Sequence, residues 1–110
     1  MLKDEMKNFY GTENYYRYMN TPMVYTDGVK YFAEKAGAYW FIDLCFSHLV
    51  KLHDDFYLIR LKVENEKAIV TFEGDEEEIR SQQKIEYTDC PEGEWVFFFY
   101  NNVLMWHGEY

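Results

Sequence analysis

The sequence has few of the residues that cross-link, stiffen or interrupt a chain. Its 110 residues include two cysteines, two prolines and six glycines. Such low proline and glycine contents exclude collagen-like and low-complexity chains, and two cysteines make neither a disulfide framework nor a CxxC metal site. We expect Cys45 and Cys90 to be reduced thiols, and a single disulfide between them is the alternative.

Long apolar runs are also missing. The longest ones, such as residues 95–100, are far shorter than the roughly 20 residues that span a bilayer, so no membrane-spanning helix is expected. The first residues show no basic region followed by an apolar stretch and a small-residue cleavage site. We therefore predict a cytoplasmic protein with no membrane contact.

Positive charge is scarce, since 11 lysines and arginines face 20 acidic residues and the formal net charge is −9. This balance makes direct binding of nucleic acids or of anionic membranes unfavourable. The excess lies mainly in residues 56–110, which hold five basic and twelve acidic residues, a balance of −7. The acidic run at residues 75–78 predicts a solvated loop, and a docking patch for a basic partner or a nucleic-acid mimic are the functional alternatives.

Apolar and aromatic residues are plentiful, at 48% and 21% of the chain. Domains of this length bury about two thirds of the surface of the unfolded chain, which is enough for independent folding. We therefore predict one domain over residues 1–110.

Helical periodicity dominates the first half of the chain. A short helix is predicted over residues 1–9, where Leu2, Met6 and Phe9 share one face. A second helix is predicted over residues 13–19, with Thr12 as its N-cap.

The clearest helix start is Thr26-Asp27-Gly28, where either polar side chain can cap the helix. Apolar residues then recur at three- and four-residue steps as far as residue 52. Residues 27–52 are predicted to form either one bent helix or two helices that meet at Gly37.

From residue 57 the apolar period changes to two, which is typical of half-buried strands. Strands are predicted over residues 57–64 and 68–72, around 83–87, and in a final hairpin that turns at Asn101-Asn102. Helices followed by short strands indicate the α+β class. We predict N-terminal helices packed on one face of a mainly antiparallel sheet of about five strands.

The final hairpin, from Trp95 to Trp106, is apolar on both faces. Trp95, Phe97 and Phe99 alternate with Val96, Phe98 and Tyr100. Both faces must therefore be covered. A homo-oligomer formed through this hairpin would cover the second face, and so would N-terminal helices wrapped around the sheet.

No known catalytic motif occurs, and we predict no catalytic residue, no cofactor and no metal site. His48, His53 and His107 lack a metal-ligand spacing. His48 lies on the apolar side of its helix and is interpreted as a hydrogen-bonded core or boundary residue. Asp43, between apolar neighbours, must face solvent or find a donor, which residues 15–18 can supply.

Four stretches carry a resemblance: FYGTENYYR at residues 9–17, YTDGVKY at 25–31, AGAYW at 36–40 and YTD at 87–89. Together they resemble a family of small uncharacterised bacterial proteins, also found on phages and plasmids, which is classed as a domain of unknown function. The resemblance covers most of the chain. It implies a cytoplasmic protein of a bacterium or a mobile element, and it supplies neither an activity nor functional residues.

Our leading hypothesis is a non-enzymatic module that binds or regulates another protein. The alternative is a small enzyme or ligand-binding protein with a pocket near the helical motifs, and a third hypothesis is an acidic mimic of nucleic acid. The candidate ligand or partner surface comprises the polar and aromatic motif residues Tyr16, Arg17, Asp27, Tyr39, Trp40 and Asp43.

Overall fold

A computed structural model describes all 110 residues and contains three α-helices, seven strands and one 3-10 helix. In chain order these are α1 (Leu2–Met6), β1 (Tyr15–Arg17), β2 (Val24–Thr26), α2 (Asp27–Lys35), α3 (Tyr39–Leu49), β3 (Phe56–Glu64), β4 (Lys67–Glu73), β5 (Ile79–Ile85), β6 (Gly93–Tyr100), β7 (Val103–Trp106) and the 3-10 helix His107–Glu109.

All seven strands form one sheet in the order β1-β2-β7-β6-β3-β4-β5. The α+β class is therefore confirmed, whereas the expected number of about five strands is too low. The pairing of β2 with β7 is parallel and every other pair is antiparallel, so the sheet is mixed. The C-terminal 3-10 helix also shows that helical structure is not confined to the first half of the chain.

The predicted helix over residues 13–19 is wrong, because β1 occupies its centre. Tyr16 pairs with Tyr25 of β2 in an antiparallel hairpin. Thr12 does not cap a helix of its own segment; its hydroxyl accepts a hydrogen bond from the backbone N–H of Asp27. Long-range partners thus decide the conformation of this segment, and its aromatic residues suit a strand equally well.

The segment predicted over residues 27–52 consists of two helices. Gly37, with a φ of +63°, separates α2 from α3 in the left-handed conformation that glycine adopts most readily. Thr26 caps α2 as expected, since its hydroxyl accepts a hydrogen bond from the N–H of Val29. None of the helices is long and apolar enough to cross a membrane.

The helices cover one face of the sheet, and an aromatic cluster joins the two layers. The Phe32 ring of α2 lies 5.0 Å from Trp95 and 5.1 Å from Phe97 on β6. The Phe41 ring of α3 lies 4.8 Å from Phe97. Each of these rings is fully buried, so the inner face of the final hairpin lies at the centre of the core.

The opposite face of the sheet carries no helix. Near one end, the rings of Phe56, Phe98, Tyr100 and Tyr110 pack together, with Phe98 lying 5.3 Å from Phe56 and 5.1 Å from Tyr110. We call these four residues the aromatic patch. Tyr100 and Tyr110 remain 47% and 70% exposed. The helices therefore do not wrap onto this face, and the C-terminal tyrosine covers only part of it.

The tight turn of the final hairpin lies where the sequence predicts it, and a turn of the same kind joins β3 to β4. Asn101 and Asn102 have φ values of 53° and 63°, and Asn65 and Glu66 have φ values of 53° and 64°. Two successive residues with positive φ fit the right-handed twist of a two-residue hairpin. The third predicted strand lies slightly earlier than expected, at β5, and the acidic run at residues 75–78 forms the turn before it.

Candidate functional site

Two of the sequence motifs meet at the carboxylate of Asp27, the first residue of α2. Its Oδ2 accepts hydrogen bonds from the backbone N–H groups of Glu13, at 3.0 Å, and Asn14, at 3.2 Å. The hydroxyl of Tyr16 donates to Oδ1 at 2.8 Å. The segment before β1 is therefore folded around one carboxylate at the N-terminus of a helix, where negative charge is favoured.

These hydrogen bonds lower the pKa of Asp27 to about 2. The Tyr16 hydroxyl makes the largest contribution, and the amides of Glu13 and Asn14 add to it against the opposing effect of burial. The same bond raises the pKa of the Tyr16 hydroxyl. A carboxylate with so low a pKa stays ionised near neutral pH, so it is suited to holding structure or positive charge rather than to general base chemistry.

Three more tyrosines on the same side of the molecule donate hydrogen bonds to carboxylates. Tyr18 donates to Asp43 at 2.9 Å, Tyr39 donates to Glu34 at 3.2 Å, and Tyr31 donates to Glu5. We call these residues, together with Tyr16 and Asp27, the tyrosine surface. The rings of Tyr18 and Tyr31 also pack against the hydrophobic core, so their hydroxyl-to-carboxylate bonds fix these side chains at both ends.

The tyrosine surface is continuous along α2. The Tyr16 ring stacks on Tyr25 at 5.5 Å, and the Lys30 ammonium lies 4.9 Å from the centre of the Tyr16 ring. Lys30 also forms an ion pair with Glu34 at 3.4 Å. A hollow of about 310 Å³, bounded by Asp27, Lys30 and Glu34 among others, opens between these side chains.

Four of the six predicted site residues belong to this surface. Tyr16 and Asp27 are in direct contact, and Tyr39 and Asp43 lie one turn apart on the same face of α3. The donor expected for Asp43 is found in Tyr18. Motif proximity in the sequence therefore does correspond to proximity in the fold for these residues.

The remaining two predicted residues do not join the cluster. Arg17 follows Tyr16 on β1, so its side chain points to the opposite face of the strand, and it forms no ion pair. Trp40 is half-buried, packed against the core, and meets the Phe41 ring edge-to-face at 6.1 Å. Arg17 is thus outside the tyrosine surface, and Trp40 packs α3 against the hydrophobic core.

One residue that the sequence does not reveal completes the start of α2. Glu109 reaches back from the 3-10 helix, and its carboxylate accepts hydrogen bonds from the Thr26 hydroxyl at 2.6 Å and the Gly28 N–H at 3.0 Å. A Cβ at Gly28 would lie 2.5 Å from Glu109 Oε1, so the glycine allows this approach. Burial raises the pKa of Glu109 despite these bonds. The contact of Glu109 with Gly28 joins residues 81 positions apart, and no local sequence pattern predicts it.

The thiols are buried and free, as expected for reduced cysteines. Burial raises the pKa of Cys45 well above its ordinary value and that of Cys90 to about 12. Both therefore remain protonated near neutral pH and are weak nucleophiles. No group of three or more histidine, cysteine, aspartate or glutamate side chains is arranged to hold a metal ion.

The geometry defines a class of protein: a small α+β domain with one mixed sheet, covered by helices on one face and bearing a tyrosine surface where its first helices and strands meet. The chain belongs to DUF6876, a family of unknown function, whose family model matches residues 1–110. The expected membership of a family without an assigned function is thereby confirmed. No curated protein and no solved structure was found to be similar.

Proposed function

We propose that this chain is a non-enzymatic protein-binding module of the bacterial cytoplasm or of a mobile element, and that it docks a basic segment of another protein on its tyrosine surface. The observation that carries the proposal is the set of four tyrosine–carboxylate hydrogen bonds that link α1, α2, α3 and residues 16–18. Each bond holds an aromatic side chain in one orientation before any partner arrives.

Fixed tyrosines are favourable contact residues for two physical reasons. A tyrosine offers a large amphipathic area with few rotatable bonds, and tyrosine is enriched among residues that dominate binding energy. Association costs less entropy when the contacting side chains are already ordered. Tyr39, 46% exposed, is the first residue of α3, and Tyr16 and Tyr31 flank the hollow beside α2.

Charge complementarity supports a basic partner. The tyrosine surface includes four carboxylates, those of Glu5, Asp27, Glu34 and Asp43. Two nearby lysines of α2, Lys30 and Lys35, offset only part of this negative charge. An ionised carboxylate has about four acceptor positions, so Glu5, Glu34 and Asp43 keep room for an arginine or lysine donor beside the tyrosine hydroxyl, whereas Asp27 is already filled by donors of its own chain. The net charge of −9 also speeds the encounter with a cationic partner.

The test uses a matched pair of double variants. Tyr39→Ser with Asp43→Asn alters the tyrosine surface, while Tyr87→Ser with Asp89→Asn removes a comparable exposed pair, hydrogen-bonded at 2.5 Å, on the loop after β5. Affinity capture from a bacterial lysate with quantitative mass spectrometry identifies the bound proteins. We expect a protein with a basic contact segment, whose recovery falls about tenfold with the first variant and stays unchanged with the second.

The identified protein is then made as a pure component and titrated against both variants at low and high salt. Weaker binding at high salt is expected, because the contact is between opposite charges at an exposed surface. The proposal is wrong if no protein is enriched, if both double variants lose it equally, or if the contact segment of the captured protein is acidic.

A further inference from the structure

A second hollow, separate from the tyrosine surface, lies where α1 meets the 3-10 helix. It encloses about 350 Å³. Three basic side chains line it, those of Lys3, Lys7 and His107, together with three aromatic ones, those of Phe9, Tyr10 and Trp106. This volume lies within the range of sites that hold small organic molecules.

The lining of this hollow contains no carboxylate. Three other hollows on the molecule each include two: Glu64 and Glu86, Asp27 and Glu34, or Asp54 and Asp55. In a chain of net charge −9, a hollow lined by basic groups and free of acidic ones runs against the overall field. Its local charge favours an anion.

Trp106, which lines the hollow, adds an indole donor that has no acceptor within the chain. The residue is only 5% exposed, and its indole N–H makes no hydrogen bond within the chain. By contrast, the indole N–H of Trp95 donates to the Pro91 carbonyl at 3.1 Å. A Cβ on Gly108 would lie 3.1 Å from the Trp106 nitrogen, so the glycine leaves this N–H uncovered beside the hollow. The N–H is therefore free to donate to an acceptor on a molecule bound in the hollow.

The basic groups also retain unused donors. Lys3 donates to the carbonyl of Glu94 and lies 4.3 Å from the centre of the Trp95 ring, which leaves the other ammonium hydrogens for another acceptor. Lys7 approaches Asp4 at 3.5 Å, but both side chains are more than 70% exposed and such a pair is weak.

His107 packs on Trp106 with the ring centres 4.3 Å apart and makes no hydrogen bond through its ring. Burial lowers the pKa of His107 and the charge of Lys3 lowers it further. Burial likewise lowers the pKa of Lys3, against the effect of Glu94. Both groups therefore lie in an environment that a bound negative charge would relieve.

We propose that this hollow binds a small organic anion, in which a carboxylate or phosphate group sits on a planar ring. The anionic group would accept from the Trp106 indole N–H and from Lys3, Lys7 and His107. The ring would lie against Phe9 and Tyr10, since aromatic walls favour offset stacking with planar molecules. Nothing in this proposal depends on the tyrosine surface.

The experiment follows the indole signals of the three tryptophans in proton–nitrogen correlation spectra, assigned with Trp106→Phe and Trp40→Phe. Benzoate and adenosine monophosphate are the two anionic probes, and they separate carboxylate from phosphate recognition. Benzyl alcohol and adenosine are their uncharged controls, and inorganic phosphate tests the anion without a ring. We expect one anionic probe to move the Trp106 signal in a saturable way at up to about 10 mM, and the uncharged controls to leave it in place.

Two double variants test the assigned groups, and each of them removes two positive charges. Lys3→Gln with Lys7→Gln should weaken binding at least about tenfold, whereas Lys51→Gln with Lys84→Gln should leave it unchanged. Lys7→Gln alone serves as a second variant that keeps the contact of Lys3 with Trp95. The proposal is overturned if neither anion moves the Trp106 signal, if the uncharged controls move it equally, or if both double variants weaken binding alike. Inorganic phosphate binding as tightly as adenosine monophosphate would exclude a role for the ring.

Discussion

Single side chains in this protein act mainly by satisfying backbone groups that are far away in sequence. Asp27 holds the segment before β1, and Glu109 holds the start of α2. Neither carboxylate faces a cation at close range; each is stabilised by N–H and O–H donors instead. Stability should therefore respond to pH through hydrogen bonding, as well as through the ion pair of Arg60 with Glu73.

Asp27→Asn tests this at the residue scale. The folded-state pKa of about 2 lies below the ordinary value of 3.8, so ionised Asp27 adds stability that is fully present above about pH 4 and disappears as the pH falls through 2. We expect the variant to lose about 1–2 kcal/mol of unfolding free energy at pH 7, since charge-assisted bonds are lost.

Urea unfolding at stepped pH values measures this difference, which should shrink between pH 4 and pH 2 as wild-type Asp27 becomes protonated. Asp55→Asn is the control, because Asp55 is exposed and its carboxylate makes no hydrogen bond. A gap between wild type and Asp27→Asn that stays the same at pH 2 and pH 7 would show that ionisation contributes nothing.

At the scale of elements, the sequence predicts those helices and strands whose conformation depends on residues nearby in the chain. The apolar stripe of Val29, Phe32 and Ala33 gives α2, and Gly37 gives its end, because both depend on neighbours within one or two turns. β1 has only three residues and shows no period, and its conformation depends on pairing with β2 and on Asp27. The sequence of that segment suits a capped helix as well.

The same distinction applies to the sheet and the site. The parallel pairing of β2 with β7 places Val24 beside Val103, and no pattern within either strand specifies such a distant neighbour. The sequence motifs place Tyr16 and Asp27 on one candidate surface without predicting their hydrogen bond, and the exclusion of Arg17 follows once the segment is a strand rather than a helix. Glu109 was missed because its partners are fixed by the fold of the whole chain.

The β3–β4 turn offers a prediction about an element that the sequence does locate. Glu66 has a φ of 64°. This conformation is unfavourable for any residue that has a Cβ atom, whereas glycine adopts it with almost no loss of free energy. Glu66→Gly should raise the unfolding free energy by about 0.5–1 kcal/mol, because the Asn-Gly pair is the preferred two-residue turn. Thermal or urea unfolding measures the gain.

Glu66→Ala separates the turn conformation from the loss of the carboxylate, because alanine keeps the Cβ and removes the charge. The carbonyl of residue 66, which accepts from the N–H of Thr88 at 2.8 Å, is present in all three proteins. Equal stability of the glycine and alanine variants would contradict the role assigned to the turn.

His48 joins α3 to the outer strand β5. Its Nδ1 lies 2.6 Å from the Ser81 hydroxyl and its Nε2 lies 2.8 Å from Gln83 Oε1, while the ring stacks on Phe72 at 4.8 Å. Because an amide oxygen only accepts, Nε2 carries a proton. His48 is thus a half-buried boundary histidine whose two ring nitrogens both have hydrogen-bond partners.

His48→Ala should lower the unfolding free energy by about 1–3 kcal/mol, since two hydrogen bonds and a stacked ring are lost together. Urea unfolding gives the difference, and amide exchange on β5 should accelerate more than exchange on β6. His53→Ala, at an exposed position in the loop before β3, is the matched histidine control and should change stability by less than about 0.5 kcal/mol. Equal effects of the two variants would contradict the proposed link.

At the scale of the whole molecule, the two sides of the sheet differ in what covers them. The inner side is closed by α2 and α3, whereas the outer side has charged side chains near its middle and the aromatic patch at one end. Arg60 pairs there with Glu73 at 2.9 Å and with Glu94, and this pairing lowers the pKa of Glu73. These ion pairs need no partner, whereas the aromatic patch and its half-buried apolar neighbours Leu58, Val96 and Met105 leave apolar area uncovered on this face.

A second copy of the chain is the occupant that the final hairpin predicts for the aromatic patch. In a two-fold dimer each patch would face its own counterpart, and stacked sheets lie about 10 Å apart, which suits interdigitating aromatic side chains. Sedimentation equilibrium at tens of micromolar should therefore detect a dimer.

Tyr100→Lys, at a site 47% exposed, should weaken association at least about tenfold by placing like charges across the axis, with little change in melting temperature. Tyr87→Lys, at a site 62% exposed on the loop after β5, should leave association unchanged. A wild-type protein that sediments as a monomer, or two variants that weaken the dimer equally, would remove the hairpin from any role in self-association.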